Sequence, residues 1–237
     1  MALGRISQWF SAAVDVVLPR HCSACGRPLR ADEHYLCREC MFAMPFTRYE
    51  TLPFNAFDQR FAGIVPVERA VSYFFYERNS PYASILHDIK YHNMPEMGTW
   101  LAERAVERMR PSGFFDGVDA IVPVPLHFTK RATRGYNQSE EIAKGLSQAT
   151  GAPVVNALRA RHASVSQTHK NASERAQAVR DNFTATGKAA ALEGKTVILV
   201  DDVVTTGSTL IACAQALLAV APSSVLRAFT LAAAHLD

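Results

Sequence analysis

The sequence predicts an α/β protein in which helices flank a parallel sheet, with a small cysteine-rich region before it. Apolar, β-branched runs at 69–76, 120–125 and from Val197 onward alternate with helical stretches, the order typical of such a sheet. Two C-x-x-C pairs precede all of these runs. At 237 residues, 49% of them hydrophobic, the chain can form one medium domain and a small appendage.

The N-terminal residues 4–18 are mildly amphipathic, which favours a helix packed on the rest of the protein. A signal peptide is disfavoured because Asp15 interrupts the apolar part. No apolar run in the sequence approaches the roughly 18 residues of a membrane span. The net charge of +3 is a weak argument for nucleic-acid binding. We therefore expect a cytoplasmic protein with no membrane span.

Four cysteines form the two C-x-x-C pairs: Cys22, Cys25, Cys37 and Cys40. Each pair aims two sulfurs at one point, and Zn²⁺ prefers four such ligands in a tetrahedron. A disulfide framework belongs to secreted proteins, and a redox dithiol needs only one pair. The spacing therefore favours a structural zinc ribbon, since four thiolates leave no open coordination position.

The division into domains follows from composition. Residues 45–65 are rich in Phe and Pro with little periodicity, which indicates a linker and a boundary near residue 60. Residues 1–60 would then hold the N-terminal helix, the ribbon and the linker, and residues 61–237 the larger domain. Within that domain the patterns predict a strand at 69–76 and helices at 82–91 and 95–109.

The strand at 120–125 leads into a predicted basic loop at 126–139, followed by a helix over 140–149 that Ser139 would cap. The loop carries Lys130, Arg131 and Arg134, a cluster that suits a diphosphate because arginine and lysine offset its concentrated charge. The alternative is a solvated basic turn. A further polar and cationic stretch, 159–182, is compatible with either a lid over a site or a plain surface loop.

The most informative stretch runs from Val197 to Leu210, where an apolar strand ends in Asp201 and Asp202. Small residues then lead into a helix: Thr205, Thr206, Gly207, Ser208 and Thr209. Free backbone N–H groups and the helix dipole make such a turn a cradle for phosphate. The carboxylates would repel phosphate but accept hydrogen bonds from a neighbouring diol, so the pair suggests a ribose 5-phosphate. An ordinary helix cap explains one of these residues but not the whole series.

This order of residue types resembles the 5-phosphoribosyl-1-pyrophosphate (PRPP) motif of type I phosphoribosyltransferases. Over nearly the whole chain the sequence also resembles the ComF/GntX family. The resemblance lies in the cysteine ribbon, Asp88-Ile-Lys-Tyr91, Val122-Pro-Val-Pro-Leu-His127, Arg134-Gly-Tyr-Asn-Gln-Ser139, Gln167 with Arg175, and Leu199–Gly207. The family implies a zinc ribbon joined to a phosphoribosyltransferase fold, and in some members a link to competence for DNA uptake.

Two functions follow from the resemblance. In the first, an enzyme uses PRPP and Mg²⁺, with Asp201 and Asp202 as catalytic residues at the ribose and residues 205–209 at the 5-phosphate. Thr205 replaces the aspartate that assists the leaving base in hypoxanthine-type relatives, which argues against purine salvage of that kind. In the second, a non-catalytic competence factor senses a nucleotide-like ligand and meets single-stranded DNA, weakly, or a partner of the competence machinery.

Overall fold

A computed structural model describes residues 19–161 and 182–234. The predicted N-terminal helix at 4–18 and nearly all of the cationic stretch at 159–182 lie outside the described residues.

The central sheet has four parallel strands in the order β1-β6-β5-β2, beside a separate antiparallel hairpin of β3 and β4. The strands are β1 (Arg69–Tyr76), β2 (Ala120–Pro123), β3 (Leu158–Ala160), β4 (Phe183–Ala185), β5 (Thr196–Val204) and β6 (Val225–Ala234). The helices are α1 (Arg38–Phe42), α2 (Ala83–Tyr91), α3 (Pro95–Met109), α4 (Phe128–Arg134), α5 (Gln138–Thr150) and α6 (Ser208–Leu218). The predicted parallel α/β sheet is therefore confirmed.

The middle of the sheet is covered on both faces, which explains its continuous apolar runs. In β5, Val197, Ile198, Leu199 and Val200 are fully buried. Because the four strands are parallel, their carboxyl ends meet at one edge, where ligands bind in open α/β sheets. The polar residues that follow β2 and those at the end of β5 therefore both lie at this edge.

Several predicted boundaries are confirmed. The strand at 69–76 and the helix at 95–109 have the expected limits, with Pro95 at the start of α3, where its missing N–H costs nothing. The predicted helix at 82–91 begins one residue later, at Ala83.

The predicted basic loop at 126–139 is wrong in part, because seven of its residues form α4. The side chain of His127 caps the start of α4, and Gly135 ends it with a φ of 82°. Ser139 is not the cap of the next helix. Asn137 caps α5 instead, because its side-chain oxygen accepts from the Ser139 N–H while its Nδ2 donates to the Val124 carbonyl. This second bond ties the start of α5 to the end of β2.

The Phe- and Pro-rich residues 45–65 pack against the sheet. Phe57 and Phe61 are almost fully buried, and they belong to the same core as β1. Asn55 Nδ2 donates to the Ala70 carbonyl at 2.9 Å, and Asp58 Oδ1 accepts from the Ala70 N–H at 2.6 Å. The aromatic residues thus supply core volume, while the domain boundary near residue 60 stays a prediction.

Among the helices within the two described ranges, none is long and apolar enough to cross a membrane.

Candidate functional site

The candidate site lies at the carboxyl edge of the sheet, where β5 passes through a short turn into α6. Gly207 has a φ of 79° and is the N-cap residue, and its carbonyl accepts the first helical hydrogen bond, from Ile211. Thr206 Oγ1 and Ser208 Oγ lie 2.8 Å apart. The Ser208 N–H donates to Thr206 Oγ1 at 3.4 Å. The turn therefore places hydroxyls beside the first N–H groups and the positive dipole end of α6, which is the chemistry of an anion cradle.

The turn is supported from outside by Arg60, a residue that the motif does not indicate. A Cβ atom at position 207 would lie 3.3 Å from Arg60 Cβ and 3.8 Å from its Cγ. A side chain at position 207 would therefore be crowded by the Arg60 side chain. No sequence pattern connects these two positions, since the contact arises only when residues 45–65 fold over the sheet.

The carboxylate of Asp201 is held by a residue of α5. Its Oδ1 accepts from Ser139 Oγ at 3.0 Å and from the backbone N–H of Asp202 at 2.9 Å. Burial, and next the negative charge of Asp202, raise the pKa of the Asp201 carboxyl to about 7. Asp201 can therefore exchange a proton near neutral pH.

Asp202 has a different partner. Its Oδ2 lies 2.8 Å from Lys90 Nζ at the end of α2. Successive residues of a strand point to opposite sides of a sheet, which explains why the neighbouring carboxyls meet different helices. Lys90 belongs to the Asp-Ile-Lys-Tyr sequence noted above, but that sequence alone does not reveal the pairing.

The three cations of the predicted diphosphate site are carried by α4, directly after β2. Arg134 donates to Gln138 Oε1 at 3.0 Å and lies over the ring of Tyr91, 5.1 Å from its centroid. Arg131 pairs with Glu140 at 3.1 Å, and Lys130 is exposed. Arg134 is thus brought next to the end of α2, whereas Arg131 is directed toward α5.

A cleft runs from α2 to the end of β5. It is lined by, among others, Tyr76, His87, Lys90, Tyr91, Val203 and Thr205. Thr205, the first residue of the predicted phosphate turn, is therefore shared between the turn and this cleft.

The four cysteines of the C-x-x-C pairs meet at one point, with their sulfur atoms within 4.8 Å of one another. Cys25 Sγ and Cys37 Sγ are 3.8 Å apart. A tetrahedral ion with Zn–S bonds of about 2.3 Å requires sulfurs about 3.8 Å apart. All five cysteines of the chain have free thiols, so the disulfide alternative is not supported. The cluster fits a zinc ion.

The backbone around the cysteines is arranged for thiolates. The N–H of Cys37 points to Cys22 Sγ at 3.4 Å, and the N–H of Cys40 points to Cys37 Sγ at 3.3 Å. Burial raises the pKa of the Cys22 thiol, but backbone N–H groups outweigh it and lower that pKa to about 7. A thiol with this pKa gives up its proton to a metal easily, whereas burial raises the pKa of Cys37 and of Cys40, so these two thiols lose their protons only when the metal binds.

The ribbon is attached to the start of α2. Tyr82, the residue before α2, donates its hydroxyl to the Cys40 carbonyl at 3.0 Å. Ser84 donates to the Ser23 carbonyl. One helix therefore contacts the cysteine ribbon at its start and Asp202 at its end.

Comparison with known proteins agrees with this geometry. Residues 113–235 match the model of the phosphoribosyl transferase domain family. DNA utilization protein YhgH of Salmonella typhimurium is 29% identical over 201 residues, which are 83% of each chain. Competence protein F of Haemophilus influenzae is 36% identical over 94 residues, 39% of this chain and 41% of the relative. These relatives confirm the resemblance predicted from the motifs.

Among solved structures, adenine phosphoribosyltransferase from Leishmania tarentolae aligns with 77% of this chain and 89% of its own. The TM-score is 0.38 and the sequence identity is 16%.

Proposed function

The chain belongs to the phosphoribosyl transferase domain family, and on that basis we propose that it binds PRPP or another ligand that contains ribose 5-phosphate. One observation carries the proposal: the Asp201–Asp202 pair lies near the end of β5, three residues before the turn 205–207 that opens the anion cradle at the start of α6. A carboxylate pair beside a phosphate cradle matches a molecule with a diol beside a phosphate.

The 5-phosphate would lie in the turn formed by residues 205–209. Backbone N–H groups at the start of α6 donate to its oxygens, and the hydroxyls of Thr206 and Ser208 can turn from each other toward the ligand. Thr206 is exposed and Ser208 is half-buried. The phosphate therefore replaces hydrogen bonds that the turn otherwise makes within itself.

The ribose hydroxyls would donate to the carboxylates of Asp201 and Asp202. Each carboxylate has one oxygen engaged by protein and a second available to accept. Mg²⁺ prefers carboxylate and phosphate oxygens, so this donor set fits a Mg²⁺ bound together with the ligand. When bound, Mg²⁺ neutralises negative charge on the diphosphate.

The diphosphate of PRPP would face α4, whose Lys130, Arg131 and Arg134 supply positive charge at the end of β2. In phosphoribosyl transfer the bond between C1′ and the diphosphate oxygen breaks, and its electron pair leaves with the diphosphate. A lone pair of the acceptor forms the new bond to C1′. The protein would act by holding the donor and stabilising the departing charge.

We also propose that Cys22, Cys25, Cys37 and Cys40 hold one structural Zn²⁺. Its role would be to fix the ribbon against α2, the helix that carries Lys90 to the ribose carboxylates. The zinc would therefore support the site from a distance and take no part in the chemistry.

The test combines binding and turnover. Calorimetry with PRPP and Mg²⁺ should show one ligand per chain, and a pyrophosphate-release assay with a panel of bases and amines should show which acceptor, if any, is used. Binding with no release for any acceptor would leave a sensor of PRPP, not a transferase. No binding of PRPP, nucleotide 5-phosphates or inorganic phosphate would refute the proposed site.

A second candidate is a role in handling single-stranded DNA. The names of the relatives favour it, and so does Phe128, which is 74% exposed on α4 beside Lys130. Exposed aromatics among cations stack on bases. Binding through phosphates should weaken with salt, with a slope of about −0.7 per contact. We expect weak DNA binding that PRPP competes with. Tight DNA binding at physiological salt that PRPP does not affect would favour the DNA role over PRPP binding.

A further inference from the structure

A second cluster of metal-ligating side chains lies at the C-terminal end of α2, away from the cysteines. We propose that His87, Asp88 and His92 form a binding site for a divalent transition metal, on the wall of the cleft that leads to Thr205. This proposal concerns the metal alone and does not depend on PRPP binding.

The three side chains already converge. One ligand atom from each lies within 4.8 Å of the others. The rings of His87 and His92 are 4.7 Å apart between centroids, at an angle of 75°. A tetrahedral ion with bonds of about 2.05 Å needs ligand atoms about 3.3 Å apart. Since His87 and His92 are exposed, their side chains can close this gap by small rotations without disturbing the core.

Asp88 adds a carboxylate that directly contacts one of the two histidines. Its Oδ1 lies 2.7 Å from His92 Nδ1. Once His92 Nδ1 carries no proton, one ion can bind this nitrogen and an Asp88 oxygen together, because the two atoms are already close. On its own this contact is an ordinary helical i, i+4 pair. His87, whose ring faces that of His92, adds the second imidazole.

The ligand types select the metal. Two imidazoles and one carboxylate suit Zn²⁺, Ni²⁺, Co²⁺ or Cu²⁺ better than Mg²⁺, which prefers oxygen ligands and ideal octahedral geometry. Three protein ligands leave positions open for water or another molecule. The site would therefore differ from the cysteine cluster, in which four thiolates close the coordination sphere.

The proposed metal site lies on the wall of a cleft that also reaches the candidate site. His87, Asp88 and His92 line the same cleft as Lys90, Val203 and Thr205. The open positions of the metal would face a cavity that ends at the phosphate turn. A molecule with an amine or an anionic group could bind the metal and reach that edge of the sheet at the same time.

The test is calorimetric titration of the full-length, zinc-loaded protein with Ni²⁺ in the absence of PRPP, with zinc content measured before and after. We expect Ni²⁺ to bind while the zinc content is unchanged. His87→Ala, His92→Ala and Asp88→Ala should each weaken Ni²⁺ binding at least about tenfold, because each removes a ligand and even outer-shell changes cost about 10–100-fold. His127→Ala, which removes the histidine that precedes α4, should bind Ni²⁺ like the wild type.

The spectrum of added Co²⁺ is an independent measurement. Bands of nitrogen and oxygen ligands, without charge transfer from thiolate, are expected in the wild type and in His127→Ala but not in His87→Ala. The proposal is overturned if the wild type binds no Ni²⁺ beyond its zinc, or if the three cluster variants bind Ni²⁺ as the wild type does. Circular dichroism of each variant without added metal verifies that it is folded.

Discussion

Lys90 Nζ lies 2.8 Å from Asp202 Oδ2, and the two side chains are only 20% and 12% exposed. The pair joins the end of α2 to the end of β5 at the candidate ribose site. Because Tyr82 and Ser84 bind the cysteine ribbon at the start of the same helix, α2 connects the ribbon to the carboxylate pair.

Lys90→Met should lower the free energy of unfolding by about 1–3 kcal/mol, because it leaves a largely buried carboxylate without its charged partner. Adding Asp202→Asn should recover part of this loss, since the unpaired charge is then gone. Urea denaturation of both single variants and the double variant measures the coupling. Lys144→Met is the control: Lys144 is 57% exposed and 3.9 Å from Glu141, so its loss should cost little. Equal losses for both lysines would contradict the prediction.

Asp201→Asn and Asp202→Asn should each weaken PRPP binding. Hydrogen bonds to charged groups contribute about 1.5–3 kcal/mol, which corresponds to roughly ten- to a hundred-fold in affinity. Inorganic phosphate, which lacks the diol, should bind at least as well as to the wild type. Calorimetry with both ligands separates the two effects, with Asp116→Asn as an exposed control. If both site variants bind PRPP as the wild type does, the carboxylates are structural.

The raised pKa of Asp201 predicts a pH dependence. Burial and the charge of Asp202 raise that pKa to about 7, so the free protein is partly protonated there near neutrality. Binding of Mg²⁺ and PRPP requires the ionised form, so affinity should rise between about pH 6 and pH 8 with release of a proton. The phosphates of PRPP also change their protonation with pH. Asp201→Asn removes only the proton that the protein releases on binding. Calorimetry in buffers of different ionisation enthalpy measures the proton, and identical release in both proteins would contradict the assignment.

The raised pKa of Asp201 also determines how the stability of the folded protein changes with pH. A carboxyl whose pKa is raised in the folded state stabilises it below the unfolded value of 3.8, and this stability is lost as the pH rises through about 7. Relative to the wild type, Asp201→Asn should therefore be more stable at about pH 8 than at about pH 5. Thermal denaturation at the two pH values gives this difference.

Gly207→Val should abolish binding of phosphate and PRPP. A valine there would have to adopt a φ of 79°, which is strained for a β-branched residue, and its Cβ would lie 3.3 Å from Arg60 Cβ, which must shift. The strain alone costs about 1–2 kcal/mol. Gly187→Ala is the control, because position 187 has open space and no positive φ. Calorimetry with PRPP decides the matter, and unchanged affinity in Gly207→Val would show that the turn is not the phosphate site.

Cys37→Ser should reduce zinc content from one ion per chain to almost none. Cys37 is fully buried within the cluster, and a serine oxygen is a poor substitute for a thiolate. Hydrogen exchange should increase in the ribbon and at the start of α2, while β5 and β6 stay protected. Cys213→Ala, in α6, should keep its zinc. Metal analysis that finds less than half an ion in the wild type, with its cysteines oxidised, would rule out the zinc site.

The sequence alone was sufficient for features that depend on local spacing. The two C-x-x-C pairs, the limits of β1 and α3, and the strand–turn–helix around Gly207 all depend on residues close together in the chain. The basic stretch was placed correctly at the end of β2, but its helix was missed. Its polar composition masks the cap at His127 and the stop at Gly135, which together let seven residues form α4.

The sequence by itself determined the class of fold, the cysteine cluster and the motif at the end of β5, because periodicity and ligand spacing are encoded within a few residues. Only the tertiary structure decided which distant groups meet there. Lys90 reaches Asp202, Ser139 holds Asp201 and Arg60 supports Gly207 because parallel strands bring segments far apart in sequence to one edge. Such contacts depend on strand order and helix packing, which no local pattern records.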